Sequence, residues 1–530
     1  MSAPLTGVGP LLRASLTHDG RRFAPWVAIV TLLSASSVLL YPWLFPDTVD
    51  RMGFAAAVGS NPAISLIFGP AEDLLSTDGF NAWRSLSLGG FVTALGAILA
   101  VVRASRAQED SGQAELLASS VISRSGRLIV GVLVAMIGSL AVGVVAGLVT
   151  WACGGEPGPT ALLCATFVVT GWMFAALAAV AAQLGAETRT ATSIAVGALG
   201  VAFIARGFLY AIDAPDWLVW LDPLAWMTET WPTVEDRWWP LPLGLGLTVV
   251  LLAVAFVLQA RRDFGGGAIG PRPGPATGRI RGVAGLVLRA HRGAIITWLC
   301  VAAGLGIVFG YLATSVSDIL AGDSAVQQVL AAGAATPDQL IGRFLVTILS
   351  LVGIILAIPG VQIMLAVRSE ELADRAEPVL AAAVARPRYW GASALLALTV
   401  TAACTLMAGT EIALLASSAD IGAELGDTLL QAVVTVPAVW AVVAVSMLVV
   451  GARPRVLPAA WVGVIASFGL TLLGPSFKLP DWALGISPFW HVPSIAGDED
   501  GWGLLGVAAV ALLLAVIGLG GFRRRDLATR

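Results

Sequence analysis

The chain has 530 residues, of which 57% are apolar and 12% charged, with a formal net charge of −3 and a mean hydropathy of +0.85. A water-soluble chain of this length carries about twice that charged fraction, so a soluble globular protein is excluded. Apolar runs of about 20 residues recur throughout, the length needed to cross a bilayer as helix, and the chain reads as a polytopic α-helical membrane protein.

Residues 8–22 come first. Val8, Leu11, Leu12 and Leu16 share one helical face, with Arg13, Arg21 and Arg22 elsewhere, which predicts a helix lying at the interface. No removable signal peptide is expected, because the first long apolar run is itself span-length. Span 1 is expected over Ala24–Phe45, followed by a long acidic loop with an apolar middle. Span 2 (Trp83–Val102) leads into a charged island, and span 3 covers Leu128–Trp151. Span 4 (Thr160–Gln183) and span 5 (Thr190–Tyr210) precede a Trp- and Pro-rich stretch, PDWLVWLDPLAW, from Pro215 to Trp226. Prolines and interfacial tryptophans there suit short helices that enter and leave the outer leaflet. Span 6 covers Trp238–Gln259 and ends in Arg261-Arg262-Asp263.

Residues 265–279, GGGAIGPRPGPATGR, form the only clear linker. After it the order restarts. A second interfacial helix is expected around Val283, Leu286, Val287 and Ala290, then span 7 (Ala294–Tyr311), another acidic loop, and span 8 (Phe344–Val367) with a kink at Pro359-Gly360. Spans 9 (Trp390–Leu415), 10 (Leu429–Val450) and 11 (Leu457–Leu473) follow. A second external stretch, PDWALGISPFWH, runs from Pro480 to His491, and span 12 (Leu504–Gly521) ends in Arg523-Arg524-Arg525-Asp526.

The charged island is written twice. RAQEDSGQAELLASSVISR (Arg106–Arg124) matches RSEELADRAEPVLAAAVAR (Arg368–Arg386) at one offset, pairing Arg106 with Arg368, Glu109 with Glu371 and Glu115 with Glu377. Asp216, Trp217 and Pro223 match Asp481, Trp482 and Pro488 in the same way, with Trp226 closing the first copy. The halves are therefore a duplication, with residues 1–264 as the first six-span domain and 280–530 as the second. An even number of spans per half predicts two parallel repeats. With the N-terminus inside, only Arg51, Arg84, Arg206, Arg237, Arg343 and Lys478 fall outside the cytoplasmic segments, leaving 25 of 31 Lys and Arg within them. That asymmetry predicts cytoplasmic N- and C-termini, islands and linker.

Four cysteines are too few and too scattered for a disulfide framework, although Cys153 and Cys164 flank one short loop, which leaves a pair open. Three distant histidines and no HExxH predict no metal site. No catalytic constellation is visible, and the chain is not expected to be an enzyme. Phe203, Phe208 and Tyr210 on span 5, with Phe468 at the repeat position of Phe203, are candidates for an aromatic-lined substrate path. Arg206 is a costly residue within a span; Asp213 or Glu411 is the expected counter-charge, in either a gating role or a structural ion pair.

RAQEDSGQAELL (Arg106–Leu117), DWLVWLDPLAW (Asp216–Trp226) and ARRDFGGGAIGPRPGP (Ala260–Pro275) carry a resemblance to the membrane subunits of type-2 ABC exporters. Within these the chain is most similar to the double-length permeases of the tetronasin-resistance or polyketide-antibiotic exporter group. The resemblance covers essentially the whole chain. It implies elbow helices, cytoplasmic coupling helices between spans 2 and 3, and external re-entrant helices between spans 5 and 6 in each half. It makes the islands the docking parts, with Leu116 and Leu117 entering a groove of a partner and Glu109 and Glu115 on its rim. Pairs spaced i,i+4, Arg106 with Asp110 and Glu371 with Arg375, are expected to steady them.

The only lysine is Lys478 and no GxxxxGK[ST] occurs, so the resemblance places ATP and Mg on two copies of a separate nucleotide-binding ATPase, with no cofactor on this chain. It implies the bacterial inner membrane, a small hydrophobic substrate and no nucleic-acid partner. An ABC permease for a lipid or cell-envelope precursor, and a 12-span ion-coupled carrier, are the alternative readings. The islands lack the Gly-rich loop of major-facilitator carriers.

Overall fold

The computed structural model describes residues 7–59, 67–112, 124–212, 214–263, 266–269, 282–314, 337–382, 384–419, 423–473, 480–495 and 501–526. Twelve helices among them are long and apolar enough to cross a membrane. The chain divides into two compact units, Met1–Gly274 and Pro275–Arg530. The expected class, an all-α protein with 12 membrane spans, is what the structure shows.

In the first unit a helix over Val8–Asp19 and a 3₁₀ turn over Gly20–Phe23 lead into span 1, Ala24–Leu44. Val8, Leu11, Leu12 and Leu16 pack on Ile129, Val130, Leu133 and Val134 of span 3. Span 2 runs over Thr77–Val102, capped by the Ser76 hydroxyl accepting from the Gly79 amide at 2.9 Å. Spans 3 to 6 are Arg124–Ala152, Pro157–Leu184, Thr188–Ala211 and Pro240–Arg261. Spans 2 and 4 are the most enclosed and spans 5 and 6 the least. The apolar faces left bare by the outer spans are those of a protein solvated by lipid. Cys153 and Cys164 are both free thiols, so they do not pair.

The second unit departs from expectation at its start. The predicted second elbow and span 7 are one uninterrupted helix, Gly282–Thr314. The first unit breaks its helix with Gly20 and restarts it at Pro25. Around Ala290–Ala294 no proline occurs, and the helix runs through Gly293 without a break. Span 8 is split at Ala357 into Pro337–Leu356 and Ile358–Leu372, as Pro359 requires. Spans 9, 10 and 12 are Arg386–Ser418, Leu425–Ala452 and Trp502–Arg524. Span 11 is not a plain helix. Pro454 and Pro458 impose a 3₁₀ segment over Pro454–Trp461, followed by Val462–Phe468 and a π-helical turn over Gly469–Leu473. Spans 10 and 12 touch backbone to backbone: a Cβ on Gly451 would lie 2.0 Å from the Gly518 carbonyl oxygen. Any larger residue there would part the two helices.

Both islands end their helix in the same way. The Gly112 amide donates to the Glu109 carbonyl at 3.1 Å with φ +74°, and the Asp374 amide to the Glu371 carbonyl at 3.1 Å with φ +56°. One left-handed residue is thus needed at the repeat position, and Gly and Asp are among the few residues that tolerate it. Gly112→Val is expected to destabilise the first unit by about 1–2 kcal/mol, whereas Asp374→Gly should change the second by under about 1 kcal/mol. Thermal unfolding of the two variants checks the contrast.

Candidate functional site

The island's first turns are not a separate projecting helix. Span 2 continues through a π-helical turn, Arg103–Ala107, into Gln108–Asp110. The wider turn aims Arg106 into the bundle, where it is fully buried. Its guanidinium donates to the Ala182 carbonyl at the end of span 4, to Glu109 Oε2 at 2.8 Å and to the Gly266 carbonyl at 2.7 Å. Arg262, the residue closing span 6, reaches the same carboxylate from the other side. It donates to Glu109 Oε1 at 2.8 Å, to Gln183 Oε1 at 2.6 Å and to the Gly266 carbonyl at 2.7 Å. Asp110 accepts from the Thr188 amide at 2.7 Å, holding the start of span 5. One carboxylate between two arginines thus ties together the ends of spans 2, 4 and 6.

The second unit repeats the clamp. Arg368 donates to Glu371 Oε2 at 2.8 Å, and Arg525, the residue closing span 12, donates to Glu371 Oε1 at 2.5 Å. Arg525 also reaches the Gly451 carbonyl of span 10 at 3.1 Å and stacks over Phe522 at 4.9 Å. Span 9 joins through Arg386, which donates to the Arg525 carbonyl at 2.8 Å, and through Tyr389, which donates to Glu370 Oε2 at 2.6 Å. Two arginines on one carboxylate, with backbone carbonyls accepting from Arg106, Arg262 and Arg525, lower the cost of desolvating the site.

These links correct the expected pairing. Arg106 does not pair with Asp110, nor Glu371 with Arg375; both islands instead use i,i+3 pairs, Arg106–Glu109 and Arg368–Glu371. Glu109 and Glu371, at 9% and 1% side-chain exposure, are inside the clamps and not on an open rim. Beyond the left-handed turn, Ala376–Ala381 forms a short helix in which Ala376 is buried and Glu377 is exposed. Glu115, Leu116 and Leu117 lie outside the described residues.

At the other end of the first unit, Arg206 on span 5 is buried. It donates to the Ser87 hydroxyl of span 2 and to the Ile67 carbonyl at 2.8 Å, with its guanidinium 5.0 Å above the Phe203 ring. The expected carboxylate partner is replaced by neutral acceptors: no ion pair to Arg206 occurs among the described residues, and Asp213 lies outside them. Phe203 packs edge-on against Phe91, with centroids 5.0 Å apart. Phe208 and Phe468 are exposed. The Tyr210 hydroxyl donates to Glu229 Oε1 at 2.7 Å, and Trp231 Nε1 donates to Glu229 Oε2 at 3.0 Å.

Each Trp- and Pro-rich stretch folds as a short helix, Asp216–Val219 and Asp481–Leu484, then a turn and a second short element, Ala225–Thr228 and Pro488–His491. Trp217 and Trp482 are exposed, and Trp226 donates from Nε1 to the Trp220 carbonyl at 2.8 Å. Asp222 accepts from the Leu224 amide at 2.8 Å, and burial raises its carboxyl above the ordinary range. Arg262, Arg525, Gln183, Thr188 and Glu229 are the residues that sequence reasoning did not assign. For the two arginines the signal was present, since each repeats at the end of its half.

The family described as "Multidrug efflux system permease Rv1217c, C-terminal domain" matches over residues 48–258 and 280–523, one stretch in each unit. The chain is 32% identical over 530 residues to the "Multidrug efflux system permease protein Rv1217c" of Mycobacterium tuberculosis (strain ATCC 25618 / H37Rv), covering 98% of this chain and 95% of that protein. A helical chain with twelve candidate membrane spans and full-length similarity of this degree belongs to the multidrug efflux system permease family.

Proposed function

We propose that the chain is the membrane-spanning permease subunit of an ATP-driven exporter of the ABC class, moving hydrophobic drugs or polyketide-type antibiotics across a bacterial inner membrane. In this reading two copies of a separate nucleotide-binding subunit hold ATP and Mg and dock beneath the two islands. The Lys and Arg asymmetry supports cytoplasmic islands and termini. The relative's name supports drug efflux, and the resemblance of the charged motifs supports the polyketide class.

The observation that carries the reading is the repeated clamp. A displacement applied at either island is transmitted at once to three spans, because Glu109 joins spans 2, 4 and 6 and Glu371 joins spans 8, 10 and 12. Contact with the ATPase falls to the outer part of each island: Glu377 in the second, and Glu115, Leu116 and Leu117 in the first. Arg106, Glu109, Arg368 and Glu371 act as positioning residues behind that surface.

Assembly tests this reading. Native mass measurement of the complex purified through a tag on this chain is expected to give two ATPase chains for each permease chain. A stable complex containing two permease chains would contradict it.

A further inference from the structure

The two units differ at one repeat position where nothing in the duplication requires it. At the offset that aligns Asp216 with Asp481, Arg206 matches Thr471 and Asp222 matches Ser487. In the first unit the long guanidinium fills this place, and the cavity beside it, lined by Phe68, Trp83 and Thr228, measures about 40 Å³. In the second unit the short side chains of Thr471 and Ser487 hydrogen-bond at 2.9 Å. Beside them a pocket of about 430 Å³ is open, within the range of small-molecule sites.

The walls of that pocket divide by chemistry. Arg343, Thr347, Ser350, Thr471 and Ser487 supply polar groups, and Leu484, Phe489, Trp490 and Val492 supply an apolar face. Arg343 is exposed, and its guanidinium has no hydrogen-bond or ion-pair partner among the described residues. Ser350, 2% exposed, lines the same pocket. An unpaired cation, with serine and threonine hydroxyls beside an aromatic wall, is the complement of one ligand class.

We propose that this pocket binds an amphipathic organic anion of drug size, with its carboxylate on Arg343 and its apolar body against Phe489 and Trp490. Binding itself requires only the pocket. Its service to efflux rests on the drug-export reading above, and makes the second unit the one that selects charged substrates.

Equilibrium dialysis with the full chain in nanodiscs, against empty nanodiscs, tests the site with 1-pyrenebutyrate and its neutral analogue 1-pyrenebutanol. The chain is expected to bind the anion at least about tenfold more tightly, the scale of one charge-assisted contact. Arg343→Gln should abolish that preference, and Arg343→Lys should retain part of it. Thr347→Trp, which fills the pocket without removing the charge, should weaken both probes, and unchanged pyrenebutanol binding by Arg343→Gln shows that the arginine variant is folded. Equal affinity for the two probes in the native chain, or an unchanged preference in Arg343→Gln, would overturn the proposal. Neither result would touch the export reading, which is measured by ATP-driven uptake.

Discussion

Glu371→Ala is expected to be the most damaging single change in the second unit. The carboxylate is 1% exposed and accepts from both Arg368 and Arg525. Its removal leaves two guanidinium groups facing each other at a helix junction, without the charge that made their desolvation tolerable. Breaking a buried pair from one side typically costs about 3–5 kcal/mol. The variant should therefore show a lowered unfolding temperature and reduced yield. Combining it with Arg525→Ala should cost less than the sum of the two single changes, because the second removes the charge that the first leaves unpaired. Strict additivity in that double-mutant cycle would mean that the clamp is not an energetic unit. Glu109→Ala should behave alike in the first unit, with Arg262 in the part of Arg525.

Arg206→Ala is expected to have the next largest effect, and through stability. The guanidinium is the donor for the Ile67 carbonyl and the Ser87 hydroxyl, and it covers the Phe203 ring. Each buried acceptor left without a donor costs about 1–3 kcal/mol, and the emptied volume adds a cavity term. Because the residue is 1% exposed, substrate does not meet it directly in this conformation. Resistance to unrelated drugs should therefore fall together, in parallel with the unfolding temperature. An altered range of exported drugs at an unchanged unfolding temperature would instead give Arg206 a place on the substrate path.

Much of the architecture was legible in the sequence because it is written twice. The spans follow from run length, and the paired external stretches from their Pro, Asp and Trp spacing. Where local chemistry differed between the copies, expectation failed for identifiable reasons. A 3₁₀ turn ahead of Pro25 marks the first elbow, no proline marks the second, and Pro454 with Pro458 distorts span 11. The islands are legible in the sequence, but the burial of their first half is not. Charged residues near a span end usually face water, and only the long-range partners Arg262 and Arg525 turn Glu109 and Glu371 inward. Those partners repeat as well: Glu109 and Arg262 are 153 residues apart, and Glu371 and Arg525 are 154. Arg206 gave no such trace, since a backbone carbonyl as partner leaves no mark on the sequence.

Under the proposed function, efflux through this chain is driven by a separate ATPase and not by an ion gradient. Drug uptake into inverted membrane vesicles, with and without the ATPase subunit, with ATP supplied and the proton gradient collapsed by a protonophore, tests it most directly. Uptake is expected to require both ATP and the ATPase and to survive the protonophore. Uptake that persists without the ATPase and disappears with the protonophore would contradict it.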